Sequence, residues 1–169
     1  TIATGATLTV NTSDDYGIYG SALTVSGEGT LNVSANQSAI SVNNYTQTGC
    51  AVTLSGDSYG LHAKNNVSIS GGSLTTSGAS YGIESIQGAI TISGGTVSSS
   101  GEQCGLFAGD DVSITGGTVS ASGDNNGIRG YSVSITGGQV TASSGGIWSR
   151  VGDITLGWTS ATDYITASG

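Results

Sequence analysis

The residue types able to bind or transform a small molecule are scarce in this chain, and most of them share one register. Its 169 residues hold three cations (Lys64, Arg129, Arg150), one histidine (His62), one phenylalanine (Phe107) and two tryptophans. At steps of about 22 residues run Tyr19, Ser41, His62, Glu84, Phe107, Arg129 and Trp148. A second register follows two residues later, with Ser21, Asn43, Lys64, Ile86, Gly109, Tyr131 and Arg150. Where only 8 % of residues are charged, this coincidence is the strongest functional signal. Aromatic surface beside hydrogen-bonding groups suits a sugar ring, which has an apolar face and a hydroxyl rim. An exposed aromatic band also suits a protein contact. The candidate ligand-binding residues are therefore Tyr19, His62, Lys64, Glu84, Phe107, Arg129, Tyr131, Trp148 and Arg150.

Acids gather at turns, as Asp14, Asp15, Asp57, Asp110, Asp111, Asp124 and Asp153. Carboxylates with turn carbonyls are hard oxygen ligands, so the adjacent pairs Asp14–Asp15 and Asp110–Asp111 are candidates for Ca²⁺. No D-x-D-x-D-G loop accompanies them, and solvated turn residues are the plain alternative. Tyr16, Tyr59 and Tyr81 each precede a small residue and are expected to pack a turn. Catalysis has little support. Hydrolysis of a glycoside needs two facing carboxylates, and neighbours on a strand point to opposite faces. A lyase would have to draw on Lys64 or Arg129 with Glu84, and arginine stays charged at neutral pH. No Ser-His-Asp or Cys-His set is visible.

The formal net charge of −8 removes the basic footprint that nucleic acid requires. It also disfavours an anionic membrane, and no apolar run is long enough to span a bilayer. The acidic, Ser/Thr-rich, Lys-poor composition suits a secreted or cell-surface bacterial protein. Cys50 and Cys104 fall two coils apart, about 9–10 Å at the strand spacing. That is beyond the roughly 4.4–6.8 Å a disulfide spans, so two free thiols are expected.

These residues need a scaffold, and the repeat supplies one. V-S-I-S-G-G-S-L-T-T-S-G at 67–78 recurs as I-T-I-S-G-G-T-V-S-S-S-G at 90–101, and again from 112 and 133. Such a period signals a solenoid. Each coil reads as three short strands. The first turns two apolar residues inward (Leu23/Val25, Val67/Ile69, Ile90/Ile92, Val112/Ile114, Val133/Ile135, Ile154/Leu156), with Tyr45/Gln47 as the exception. A Gly-Gly corner follows at 71–72, 94–95, 116–117 and 137–138. The second strand turns in Leu8/Val10, Leu31/Val33, Val52/Leu54, Leu74/Thr76, Val97/Ser99, Val119/Ala121 and Val140/Ala142. The third opens on a small residue (Gly17, Ala39, Gly60, Gly82, Gly105, Gly127, Gly146) followed by an aliphatic one. The predicted fold is all-β, a right-handed parallel β-helix of three strands per ~22-residue coil and about 7–8 coils. Residues 1–169 form a single domain, expected to be a fragment of a larger protein, with 157–169 as an irregular end segment. Outward positions of the first two strands are Thr and Ser ladders. They are expected to be solvated, with ice binding as a minor alternative.

The stretch V-S-I-T-G-G-T-V-S-A-S-G-D-N-N-G-I-R-G at 112–130 resembles the β-helical carbohydrate-binding domains of cellulolytic and gut bacteria. The steps S-D-D-Y-G-I-Y-G at 13–20 and G-D-S-Y-G-L-H-A at 56–63 are similar to that family's D-D-G-I-x-A step. The resemblance covers about 1–150. It implies a polysaccharide-lyase-like fold that binds rather than cleaves, with calcium and acidic or cellulosic glycans as ligands. Tyr16 interrupts the D-D-G step here. The tail at 154–165 looks like segments of repetitive surface proteins of gut Firmicutes.

Two functions follow as expectations. One is a non-catalytic extracellular module that binds glycan, or a host or cell-surface protein, on the outward column of the third strand. The other is a structural or adhesive stalk that stacks end to end without a small ligand. A polysaccharide-degrading enzyme is a minor alternative.

Overall fold

The computed structural model describes residues 1–168. They form twenty strands and no helix, and every strand ladder is parallel. The chain winds as a β-solenoid of about seven turns with three strand positions in each. The second face is a sheet of its own, eight strands running from Thr7–Asn11 to Tyr164–Ala167. The first and third faces join into one twelve-stranded sheet. The join arises in the first two coils, where Tyr16–Val25 and Ser38–Gln47 pass from third face to first without a break.

Inward columns fill the bore. Val52, Leu74, Val97, Val119 and Val140 stack from the second face against Ile69, Ile92, Ile114 and Ile135 of the first and Leu61, Ile83, Leu106 and Ile128 of the third. Burying each such side chain contributes about 1.5–3 kcal/mol. The corners obey backbone sterics. The second glycine of each Gly-Gly step takes φ of +78° at Gly72, +81° at Gly95, +86° at Gly117 and +90° at Gly138, a region open to glycine. The opening glycine of the third strand is small for another reason. A Cβ at Gly82 would lie 2.2 Å from Ser99 Oγ on the second face.

Polar residues inside the bore are paired. The Tyr45 hydroxyl donates to Gln47 Oε1 at 2.9 Å, and Gln47 Nε2 donates to the carbonyls of Gly49 at 3.1 Å and Ser73 at 3.0 Å. Ser99 Oγ donates to the Gly105 carbonyl at 2.7 Å and meets Thr76 Oγ1 at 2.8 Å. Cys50 and Cys104 are separate buried thiols.

Alternation overstates burial at the two ends. Leu8 is 49 % exposed, and Ile154 and Leu156 are each 47 % exposed. All three occupy inward columns, yet a column residue is covered only when a coil lies on both sides. The final second-face strand, Tyr164–Ala167, pairs with Gln139–Ser143. The connection before it is tied by Asp163, whose Oδ2 accepts from the Thr159 and Ser160 N–H groups, each at 2.8 Å.

Candidate functional site

The third face holds the first candidate register as one unbroken column. Tyr19 pairs with Ser41, Ser41 with His62, His62 with Glu84, Glu84 with Phe107, Phe107 with Arg129, and Arg129 with Trp148. The residue before each one, Ile18 through Ile147, turns toward the bore. The column member must therefore face out. The second register begins in step. Lys64 N–H donates to the Val42 carbonyl, and Ile86 N–H to that of Ala63, each at 2.9 Å.

Ser41 is the small member of the column, and it leaves a gap. Between Tyr19 and His62 opens a cleft of about 320 Å³. Tyr16, Tyr19 and His62 are its aromatic walls, and Ser41 and Gly20 lie at its base. Asn43, Lys64 and Gln87 supply amide and ammonium donors around the rim. This volume lies at the lower end of small-ligand sites, and the mix of apolar walls with a few convergent polar groups is their usual chemistry. Tyr19 is 76 % exposed, and its ring meets that of Tyr16 at 5.3 Å between centroids.

Beyond the cleft the column becomes a packed aromatic band. Tyr59 and Tyr81 stack with centroids 5.9 Å apart and planes 7° from parallel. His62 packs on Tyr59 at 4.8 Å and Phe107 on Tyr81 at 5.3 Å. The Arg129 guanidinium lies 5.3 Å from the Phe107 ring and 4.5 Å from that of Trp148, within cation–π range. Tyr59 and Tyr81 thus pack into this band, one coil apart. The band's ring faces are largely taken by one another, so it offers ring edges, the phenol hydroxyls and the outer surface of Trp148, which is 40 % exposed.

Two groups in the column carry shifted protonation. His62 Nε2 stands 3.3 Å from Glu84 Oε2, and its Nδ1 lies 3.4 Å from Ser41 Oγ. Burial pushes the Glu84 carboxyl up to about 7 and lowers the His62 imidazole below its ordinary value. Burial also raises the Tyr59 and Tyr81 phenols, with Glu84 adding to both.

The remaining candidates stand apart. Arg150 lies 5.9 Å from the Tyr131 ring at the corner leading to the first face. Asp14 and Asp15 sit before the third-face strand Tyr16–Val25, whereas Asp110 and Asp111 sit between third and first faces four coils later. Asp14 Oδ2 accepts from the Thr12 hydroxyl, and Asp111 Oδ1 from the N–H and hydroxyl of Ser132. No group of three or more His, Cys, Asp or Glu converges on a metal-sized space among the described residues.

A regular rod with two hydroxyl faces and one face bearing a cleft and an aromatic band defines a β-solenoid repeat domain. Residues 1–150 match the family described as carbohydrate-binding domain-containing protein, and the chain belongs to that family. No curated protein and no solved structure matches the chain.

Proposed function

We propose that the chain is a non-catalytic module that binds glycan on its third face, with the Tyr19–His62 cleft as the principal sugar subsite. The observation that carries this reading is the cleft itself, a sugar-sized gap where Ser41 interrupts a column of large side chains. Tyr19 offers an exposed ring for the apolar face of a pyranose. Asn43, Lys64 and Gln87 offer donors to its hydroxyls. The band through Tyr59, Tyr81, Phe107, Arg129 and Trp148 extends the contact along the rod for a longer chain. This function places the protein outside the cell or on its surface, where polysaccharide is met.

A glycan array followed by affinity electrophoresis on the best-bound polysaccharide tests the reading. Tyr19→Ala is expected to abolish retention, and Phe107→Ala with Trp148→Ala to weaken it. Unchanged retention in all three substitutions combined would refute the third face as the binding surface.

A second reading rests on a different observation. Val151, Ile154, Leu156, Trp158 and Tyr164 are exposed together around the final coil. An open apolar strand edge favours pairing with a further coil, whether of a continuing chain or of a second copy, and end-to-end association between copies is the alternative function. Light scattering that finds only monomers at high concentration would remove it.

A further inference from the structure

We propose that Glu84 is a positioning residue that sets, through the His62 ring, whether Ser41 donates or accepts a hydrogen bond at the base of the cleft. The proposal takes its use from the glycan reading above, but its chemistry stands on three groups in one column. Glu84 Oε2 is 3.3 Å from His62 Nε2, and His62 Nδ1 is 3.4 Å from Ser41 Oγ, which lines the cleft. A neutral imidazole carries one ring proton, so one nitrogen donates and the other accepts. Which one donates is fixed by the partner on the far side of the ring.

The two states balance as follows. When Glu84 is protonated, its O–H donates to Nε2. The ring proton then sits on Nδ1, and Nδ1–H donates to Ser41 Oγ. The Ser41 hydroxyl proton is free to point into the cleft, toward a sugar oxygen. When the pair loses one proton, the Glu84 proton passes to Nε2 and the Nδ1 proton leaves through Ser41 to water. Nε2–H now donates to the carboxylate, and Ser41 donates to Nδ1. Its oxygen can only accept from a ligand. One proton is lost to solvent and no bond other than O–H and N–H changes.

The surroundings favour this exchange over an ion pair. Burial disfavours charge on both partners, raising the carboxyl to about 7 and lowering the imidazole. From the same strand and the next, Tyr59 and Tyr81 flank the pair, with phenols pushed up and so uncharged near neutrality. The Cys104 thiol, one strand further, is also raised by burial. Lys64 lines the same cleft as His62 and forms no ion pair with Glu84 among the described residues, and Arg129 is held over Phe107 and Trp148. On the other side the strand Ser38–Gln47 presents Ser41, and Tyr16 and Tyr19 stand across the cleft.

His62 is the one histidine in the chain, so its ring nitrogens can be observed without ambiguity. Long-range ¹H–¹⁵N correlation on ¹⁵N-histidine-labelled protein, titrated from about pH 6 to about pH 8.5, reads the tautomer directly. The expected result is Nδ1–H at the acidic end, changing to Nε2–H with a midpoint near 7. In Glu84→Leu the Nε2–H form should hold throughout the neutral range. A single tautomer across the titration in the wild-type chain would overturn the proposal, as would a charged imidazolium at pH ~6 beside an ionised Glu84. The wild-type titration alone decides the matter if the variant folds poorly. No glycan is needed, so failure here leaves the cleft reading intact. Conversely, a Ser41→Phe variant that retains glycan as well as wild type refutes that reading without touching the tautomer result.

Discussion

Tyr19 and His62 stand two coils apart in one outward column, with Ser41 the single residue between them. At about 4.8 Å per coil, their backbones lie roughly 9–10 Å apart. A larger residue at the middle position would close the gap. Ser41→Phe is expected to weaken retention on the best-bound glycan roughly tenfold or more. The melting temperature should stay within a few degrees of wild type, because the added ring occupies the cleft and not the bore. Unchanged affinity in an affinity gel would show that the cleft is not occupied.

Arg129 ties the end of the band together, and its charge acts on the buried Cys104 thiol. Arg129→Ala removes two cation–π contacts, each worth about 0.5–1 kcal/mol or more when desolvated. Denaturant unfolding should show a loss of about 1–2 kcal/mol. Thiol labelling in native buffer should become faster at Cys104 and stay slow at Cys50, which mass spectrometry of the labelled peptides resolves.

The Tyr45–Gln47 pair replaces the aliphatic pair found in most other coils. Gln47→Leu would leave the Tyr45 hydroxyl and the Gly49 and Ser73 carbonyls without their partner. The cost of such orphaned buried groups is about 1–3 kcal/mol. Adding Tyr45→Phe removes one of the orphans, so the double substitution should cost less than the two singles summed. An additive result in a denaturant series would mean that the two side chains are energetically independent.

Gly82 has no room for a side chain, since a Cβ would meet Ser99 Oγ at 2.2 Å and Ser100 N at 2.7 Å. Gly82→Ala should destabilise by about 1–3 kcal/mol, the usual range for overpacking. Gly20→Ala is the control, because a Cβ there meets nothing within 4 Å. Thermal unfolding of the two variants should differ clearly.

Stability should also depend on pH through Glu84. Its folded-state value of about 7 lies above the ordinary carboxyl value of 4.5. The folded state therefore holds the proton more tightly than the unfolded chain. That advantage is complete below pH ~4.5 and is lost as pH rises through about 7. Glu84→Gln, which cannot ionise, should be more stable than wild type at pH ~8 by about 1–3 kcal/mol. The difference should shrink toward pH ~5. Parallel pH profiles for the two proteins would contradict the buried carboxyl.

The repeat was legible because each coil solves the same packing problem. Val and Ile recur two apart where a strand faces the bore, and glycine recurs where the corner needs positive φ. Both constraints act within a few residues, so they are written locally in the chain. The outward column from Tyr19 to Trp148 was legible for the same reason. Once alternation fixes the inward residue, its neighbour must point out.

Local pattern was silent wherever a property depends on what lies one coil away. Leu8 has the alternation of a core residue but lies on the edge strand Thr7–Asn11 and is half exposed. Tyr59 and Tyr81 stack with near-parallel rings only because they lie one coil apart in space. The cleft depends on a serine, a residue common throughout the chain, which matters only because Tyr19 and His62 flank it in space. The sequence by itself determined the solenoid and which side chains face outward, since these follow from backbone sterics and the period-two strand. Tertiary structure alone decided which outward side chains touch, which gap they enclose, and which carboxyl loses its water. Those outcomes rest on contacts between residues about 22 apart, and on desolvation that exists only once the coils are stacked.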